Sequence, residues 1–254
     1  MGARLGQHFI IDEEVLELEA QLADVSGKSV LEIGAGDGRL TQKLLSLGAK
    51  KITAVELDPK LCSLLKKKFS SKVNVVQADF LSLQPGYFDR IVGNIPYYIT
   101  SPILVRLAEY DFELALLCMQ KEVALRLVSP PGSRNYGRLS VFCQLAFKPQ
   151  LVCQVSKQAL YPVPKVDSCI VTLTKTGFVP SKEVQNKIAA IFSHKKKSLK
   201  NAVIDGRDTL FGRNDKKKAR AVAQTLKYAK RKVFTLSPSE VLETIKEMGC
   251  TDEK

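Results

Sequence analysis

Between residues 29 and 120 the chain alternates short apolar runs with stretches of helical period. Residues 29–34 (SVLEIG), 51–57 (KITAVEL), 73–79 (VNVVQAD), 88–94 (FDRIVGN) and 114–120 (LALLCMQ) each read as a strand. Residues 39–47, 59–69 and 101–109 carry the mixed polar and apolar spacing of helices, with Pro59 at a first turn, where its missing N–H costs nothing. This rhythm predicts the α/β class, a doubly wound and mostly parallel sheet. Pro149 then opens LVCQVS, and VDSCIVTLT follows the proline-rich YPVPK. The two lie too close for a crossover helix, so they are expected to pair as an antiparallel, hairpin-like end to the sheet. Beyond Gly177-Phe178-Val179-Pro180 the pattern is helical. The predicted division is therefore 1–178 as the α/β domain and 179–254 as a small helical domain.

The first strand runs into Glu32-Ile33-Gly34-Ala35-Gly36-Asp37-Gly38, which opens a helix. Glycines there let the backbone turn tightly and approach a ligand with no Cβ in the way. A dinucleotide fingerprint would need its third glycine at position 39, which is Arg39. The spacing E-x-G-x-G-x-G, headed by an acid, resembles the cofactor loop of S-adenosylmethionine-dependent methyltransferases. Glu56 closes the second strand, 22 residues past Gly34, where a carboxylate can accept hydrogen bonds from both ribose hydroxyls. Asp79 ends the third strand, and the resemblance implies that it accepts from the cofactor's adenine amino group. Taken singly, either acid could as well cap a helix or sit in a solvated loop.

Asn94-Ile95-Pro96-Tyr97-Tyr98 follows the fourth strand. It resembles the N-x-P-Y motif of methyltransferases that act on exocyclic amino groups of bases. An adenine N6 amine is a poor nucleophile because its lone pair is conjugated into the ring. Two acceptors, the Asn94 side-chain oxygen and the Ile95 carbonyl, can hold its hydrogens and draw the nitrogen toward a pyramidal geometry. Pro96 stiffens the turn, and Tyr97 offers a flat face for the base.

Charge adds a second theme. The 254 residues hold 39 Lys and Arg against 26 Asp and Glu, a formal net charge of +13. Residues 193–232 alone carry 14 basic and 3 acidic side chains, which concentrates the excess in the helical part. The basic triplets Lys195-Lys196-Lys197, Lys216-Lys217-Lys218 and Lys230-Arg231-Lys232 point to a polyanion surface. A membrane surface fits less well, because no bulky apolar face accompanies the charge. No apolar run approaches the roughly 18 residues of a membrane span, and MGARLGQHFI lacks a signal-peptide core. Six cysteines without CxxC spacing argue for reduced thiols, no structural metal and a cytoplasmic protein.

In order and spacing, LGQHFI at 5–10, EIGAGDG, VELD at 55–58, QADF, NIPYYITSP, YGRLSV at 136–141, YPVPKVDS at 161–168 and FSHKKKSLKNA at 192–202 resemble one family. It is that of the KsgA/Dim-type ribosomal RNA adenine dimethyltransferases, relatives of the erythromycin-resistance rRNA methyltransferases and of mitochondrial transcription factor B. The resemblance implies a Rossmann-like methyltransferase domain with a helical appendage. It also implies S-adenosylmethionine as cofactor and N6-dimethylation of two adjacent adenosines near the 3′ end of small-subunit rRNA. Gln7, His8, Ile10, Gly34, Gly36, Glu56, Asp79 and Asn94 would surround the cofactor, with Asn94, Ile95, Pro96 and Tyr97 at the target base.

For RNA, the expected contacts are Lys195, Lys196, Lys197, Lys200, Lys216, Lys217 and Lys218, in a monomer that binds the small-subunit precursor. Where many relatives carry an aromatic ring this chain has Leu160, so Tyr161 beside it is the candidate to stack on the base. Two other readings share these features: an adenine methyltransferase acting on another nucleic acid, and a non-catalytic assembly or transcription factor of the same fold.

Overall fold

The computed structural model describes residues 8–212 and 215–249. They form two compact units, residues 8–124 with 149–175, and residues 125–148 with the described residues from 176 on.

The first unit is built on a seven-stranded sheet. Its strands are β2 (Ser29–Ile33), β3 (Lys51–Glu56), β4 (Val73–Gln77), β5 (Tyr87–Asn94), β6 (Asp111–Gln120), β7 (Phe147–Val155) and β9 (Ser168–Lys175), in the order β4-β3-β2-β5-β6-β9-β7. The pairs β2–β3, β3–β4, β2–β5 and β5–β6 are parallel. Strands buried on both faces need unbroken apolar runs, which is why LALLCM and RIVG read so clearly. As expected, β7 and β9 pair at the end of the sheet; β9 lies between β6 and β7 and runs antiparallel to β6. Helices α1 (Glu13–Leu22), α2 (Arg39–Ser46), α3 (Pro59–Phe69) and α4 (Thr100–Leu107) belong to this unit. Asp12 and Asp58 cap α1 and α3 by accepting backbone N–H groups of the first turn.

A short antiparallel ribbon escaped the sequence pattern because each strand is only two residues long. β1 (Phe9–Ile10) pairs with β8 (Leu160–Tyr161), joining Phe9 to Tyr161 and Ile10 to Leu160. It ties the amino-terminal segment to the loop before β9.

The helical unit takes in more chain than the 178/179 division allowed. Besides α7 (Lys182–Phe192), α8 (Leu199–Asp205), α9 (Arg207–Phe211), α10 (Lys216–Thr225) and α11 (Pro238–Glu247), it includes α6 (Arg138–Ala146). The reason is burial: Tyr136 and Val141 sit in the same apolar cluster as Val184, Ile188, Val203 and Val241. The Tyr136 hydroxyl also donates to the Leu236 carbonyl at 2.8 Å. The YGRLSV segment thus packs the core of the helical unit. α5 (Lys121–Leu127) spans the division between the units.

Candidate active site

The chain runs outward from β2 to β3 and β4, then returns to place β5 on the other side of β2. A crevice opens at such a switch point, at the carboxyl ends of the strands. Here those ends carry the glycine loop, Glu56, Asp79 and Asn94, and all of them line one cleft with His8, Phe9 and Ile10. Gln7 lies outside the described residues.

Hydrogen bonds set the loop's shape. Gly34 N–H donates to the Val55 carbonyl at 2.9 Å, and Gly36 N–H donates to Glu56 Oε2 at 2.9 Å. Gly34 and Gly36 have φ of 72° and 60°, the left-handed region that costs a side-chain-bearing residue about 1–2 kcal/mol. A Cβ on Gly36 would also come within 2.8 Å of the Phe9 ring. Glycine is therefore required twice over at this position.

Glu56 is more occupied than its position suggested. It is buried, and Oε1 accepts from the N–H groups of Leu57 and Asp58 at 2.8 and 2.9 Å. With Gly36 on Oε2, three of the roughly four acceptor positions of a carboxylate are in use. One remains for a ribose hydroxyl, so Glu56 both builds the loop and keeps a single site for a ligand. Asp79 lies two residues beyond β4 and caps a 3-10 turn, Phe80–Ser82, by accepting from Leu81 N–H at 2.9 Å.

The reaction motif is pinned from several sides. Asn94 Nδ2 donates to the His8 carbonyl at 2.6 Å. That contact orients the amide, since its nitrogen end faces the carbonyl and its Oδ1 is left as the acceptor. Ile95 is buried and its N–H donates to the Cys118 carbonyl at 2.8 Å. The carbonyls of Pro96 and Tyr97 both accept from the Thr100 hydroxyl at 3.3 Å, closing the turn. Tyr97 is half-buried; its hydroxyl meets Ser168 Oγ at 2.6 Å, and its ring lies 5.3 Å from that of His8. Burial raises its phenol above the usual range, so the ring is neutral at physiological pH. The His8 imidazole is tied at Nδ1 to the Pro162 carbonyl at 2.5 Å. Tyr161 is 64% exposed on β8, whereas Leu160 is fully buried in the core.

Thr100, Ser168 and Phe9 were absent from the sequence expectations. So was Glu19, although position 19 falls on the apolar face of α1 that Leu16, Ala20 and Ala23 define. An acid on such a face was the available signal. Glu32, the acid heading the glycine motif, is buried and accepts from the Thr41 hydroxyl at 2.6 Å. Burial first, and then the charge of Glu56, push its carboxyl up to about 8 against the hydrogen bond from Thr41.

In the helical unit the predicted lysines divide. Lys195 donates to the carbonyls of Arg134 and Tyr136 at 3.2 and 2.8 Å, and Lys197 pairs with Asp205 at 2.7 Å. Lys218 lies 5.9 Å from the Phe211 ring centroid and Lys200 is half-buried. Lys196, Lys216 and Lys217 are exposed.

A glycine cradle with strand-end acids and the Asn94–Tyr97 turn on one cleft suits a nucleoside cofactor. This is the layout of an S-adenosylmethionine-dependent methyltransferase. A family model described as ribosomal RNA adenine dimethylase matches residues 2–232. A probable ribosomal RNA small subunit methyltransferase A of Thermococcus onnurineus is 38% identical over 246 residues, covering 94% of this chain and 89% of that protein. One of the same description from Pyrococcus abyssi is 36% identical over the same shares of the two chains. Among solved structures, a dimethyladenosine transferase from Plasmodium falciparum superposes with a TM-score of 0.78 at 28% identity, over 94% of this chain and 97% of that one. The 23S rRNA methyltransferase ErmE superposes with 0.65 at 27%, over 94% and 99%. The chain belongs to the ribosomal RNA adenine dimethylase family, and as an enzyme it is an S-adenosylmethionine-dependent rRNA adenine dimethyltransferase. Among the described residues no helix is long and apolar enough to cross a membrane.

Proposed function

We propose that this enzyme dimethylates N6 of two adjacent adenosines near the 3′ end of small-subunit rRNA during subunit assembly, with Asn94 and the Ile95 carbonyl holding the target amine. The orientation of the Asn94 amide carries this reading. With Nδ2 spent on the His8 carbonyl, Oδ1 is the end that accepts an N6 hydrogen. The name of the archaeal relatives supports the small subunit as substrate.

The cradle fits S-adenosylmethionine by its own chemistry. Gly34 and Gly36 keep the floor of the cleft free of side chains, Glu56 retains one acceptor for a ribose hydroxyl, and Asp79 stands beyond β4 for the adenine. When bound, the cofactor supplies an activated methyl on a sulfonium, so the protein's task is positioning rather than strong base catalysis. Tyr97, neutral and anchored at its hydroxyl, provides the stacking face for an adenine flipped out of its RNA. Tyr161, exposed on β8, is in this reading a second ring for such a base to stack on. Lys196, Lys216 and Lys217 supply phosphate contacts, which add affinity without choosing the site.

The test is methyl transfer from labelled cofactor to unmethylated small and large subunits, with the modified nucleoside read by mass spectrometry. Dimethyladenosine in the small subunit alone is the expected result. Incorporation confined to the large subunit would overturn the substrate, and subunit binding without incorporation would overturn the reaction.

A further inference from the structure

An adenine drawn out of its RNA leaves a gap between the bases on either side of it. Opening that gap costs stacking energy, and an apolar side chain wedged between the neighbours offsets the cost. The loop at residues 161–167 (YPVPKVD), which leads from β8 into β9, presents side chains of this kind. Val163 and Val166 are 57% and 44% exposed, whereas Pro164 between them is buried. A lone valine on a surface needs no explanation. These two stand on a loop that is fastened at both ends. At its start Tyr161 pairs with Phe9, and the Pro162 carbonyl is tied to His8 Nδ1 at 2.5 Å. At its end the Asp167 carboxylate accepts from Lys157 N–H at 3.1 Å and from Gln154 Nε2 at 2.8 Å. The Asp167 carbonyl accepts from Lys121 N–H at 3.0 Å, and Lys121 Nζ donates to Gln154 Oε1 at 2.7 Å. Pro162 and Pro164 restrict the backbone in between, and branching at Cβ restricts the valines. Apolar groups held this firmly lose little entropy on contact.

Place and charge say what the loop meets. Pro162, next to Val163, is held by the histidine that lines the cleft and whose ring lies 5.3 Å from Tyr97. The loop therefore borders the wall on which the target base is proposed to stack. Lys165 is exposed between the two valines, and the loop's one acid, Asp167, has both carboxylate oxygens engaged. An apolar edge with a free cation in its middle fits bases joined by phosphates. We propose that Val163, backed by Val166, is a wedge that enters the RNA in place of the extruded adenosine, with Lys165 on an adjoining phosphate. This rests on the reading of a flipped adenine in small-subunit rRNA as the substrate.

The test uses unmethylated small subunits reconstituted with 2-aminopurine beside the target adenosines, a base whose fluorescence rises when it loses its stacking partner. Wild-type enzyme with S-adenosylhomocysteine should raise the signal. Val163→Ala/Val166→Ala should bind the subunit with nearly the same Kd, yet give less than half the rise. On ordinary subunits it should turn over about tenfold more slowly, with the Kd for S-adenosylhomocysteine and the melting temperature unchanged. Val163→Ile, which keeps a branched apolar side chain, should retain the wild-type signal and rate. A full rise with the double variant, or none with the wild type bound, would overturn the wedge. So would a wild-type signal accompanied by a change of mass in light scattering, which would make the valines a contact between copies of the chain. Failure of the wild type to bind small subunits at all would overturn the substrate reading, and the wedge with it.

Discussion

The Tyr97 hydroxyl and Ser168 Oγ lie 2.6 Å apart, joining the turn after β5 to the first residue of β9 across 71 positions of sequence. Ser168 is fully buried, and it also engages the Cys118 thiol. The anchor holds by its hydroxyl the ring proposed to stack on the base. Ser168→Ala should raise KM for the subunit or lower kcat about tenfold and leave the Kd for S-adenosylhomocysteine unchanged. Ser168→Thr should restore part of the loss. A parallel fall in cofactor affinity would show that the residue only supports the fold.

Asn94→Ala should lower kcat on the order of 10²–10³-fold, the scale for removing one group that meets developing charge. Asn94→Asp is the sharper test, because it sets a carboxylate oxygen against the His8 carbonyl where Nδ2 now donates. Single-turnover methylation of the subunit should show Asp no better than Ala.

Glu56→Gln tests whether that side chain builds the loop. An amide can accept on only one side, yet Glu56 receives Leu57 and Asp58 on one oxygen and Gly36 on the other. The variant should lose about 1–3 kcal/mol of stability by urea unfolding, along with cofactor affinity. Unchanged unfolding would mean that the backbone holds the loop unaided.

Stability should depend on pH through Glu19. Its folded value of about 8 exceeds the ordinary 4.5, because burial and then the charge of Glu32 disfavour the carboxylate. A group raised on folding stabilises fully below its unfolded value and loses that contribution as pH rises through the folded one. Unfolding free energy should therefore decline between about pH 4.5 and 8, at up to about 1.4 kcal/mol per pH unit for one group. Glu19→Gln should flatten this slope, and Glu32 should account for what remains.

Charge reversal at Lys196, Lys216 and Lys217 should weaken subunit binding and flatten its dependence on salt, with the Kd for S-adenosylhomocysteine unchanged. Reversal at Lys195 should instead lower the melting temperature, since its ammonium holds the Arg134 and Tyr136 carbonyls.

The strands of the parallel sheet and the glycine loop were legible because they obey local rules. Parallel strands buried on both faces are apolar without a break, and left-handed turns at Gly34 and Gly36 exclude side chains. Spacing alone separated this loop from a dinucleotide fingerprint, and the order of motifs named the family. What needed the tertiary structure are facts of proximity between distant segments. The Glu56 carboxylate is largely spent on backbone amides, His8 serves Asn94 through its carbonyl, and residues 125–148 pack with the helical unit. Glu19 shows the limit most plainly, because the helical period could place an acid on the inner face of α1 but not tell what it meets there. Hydrophobic period and backbone sterics act within a few residues and are written along the chain. The partner of a buried polar group is decided only when remote strands close around it.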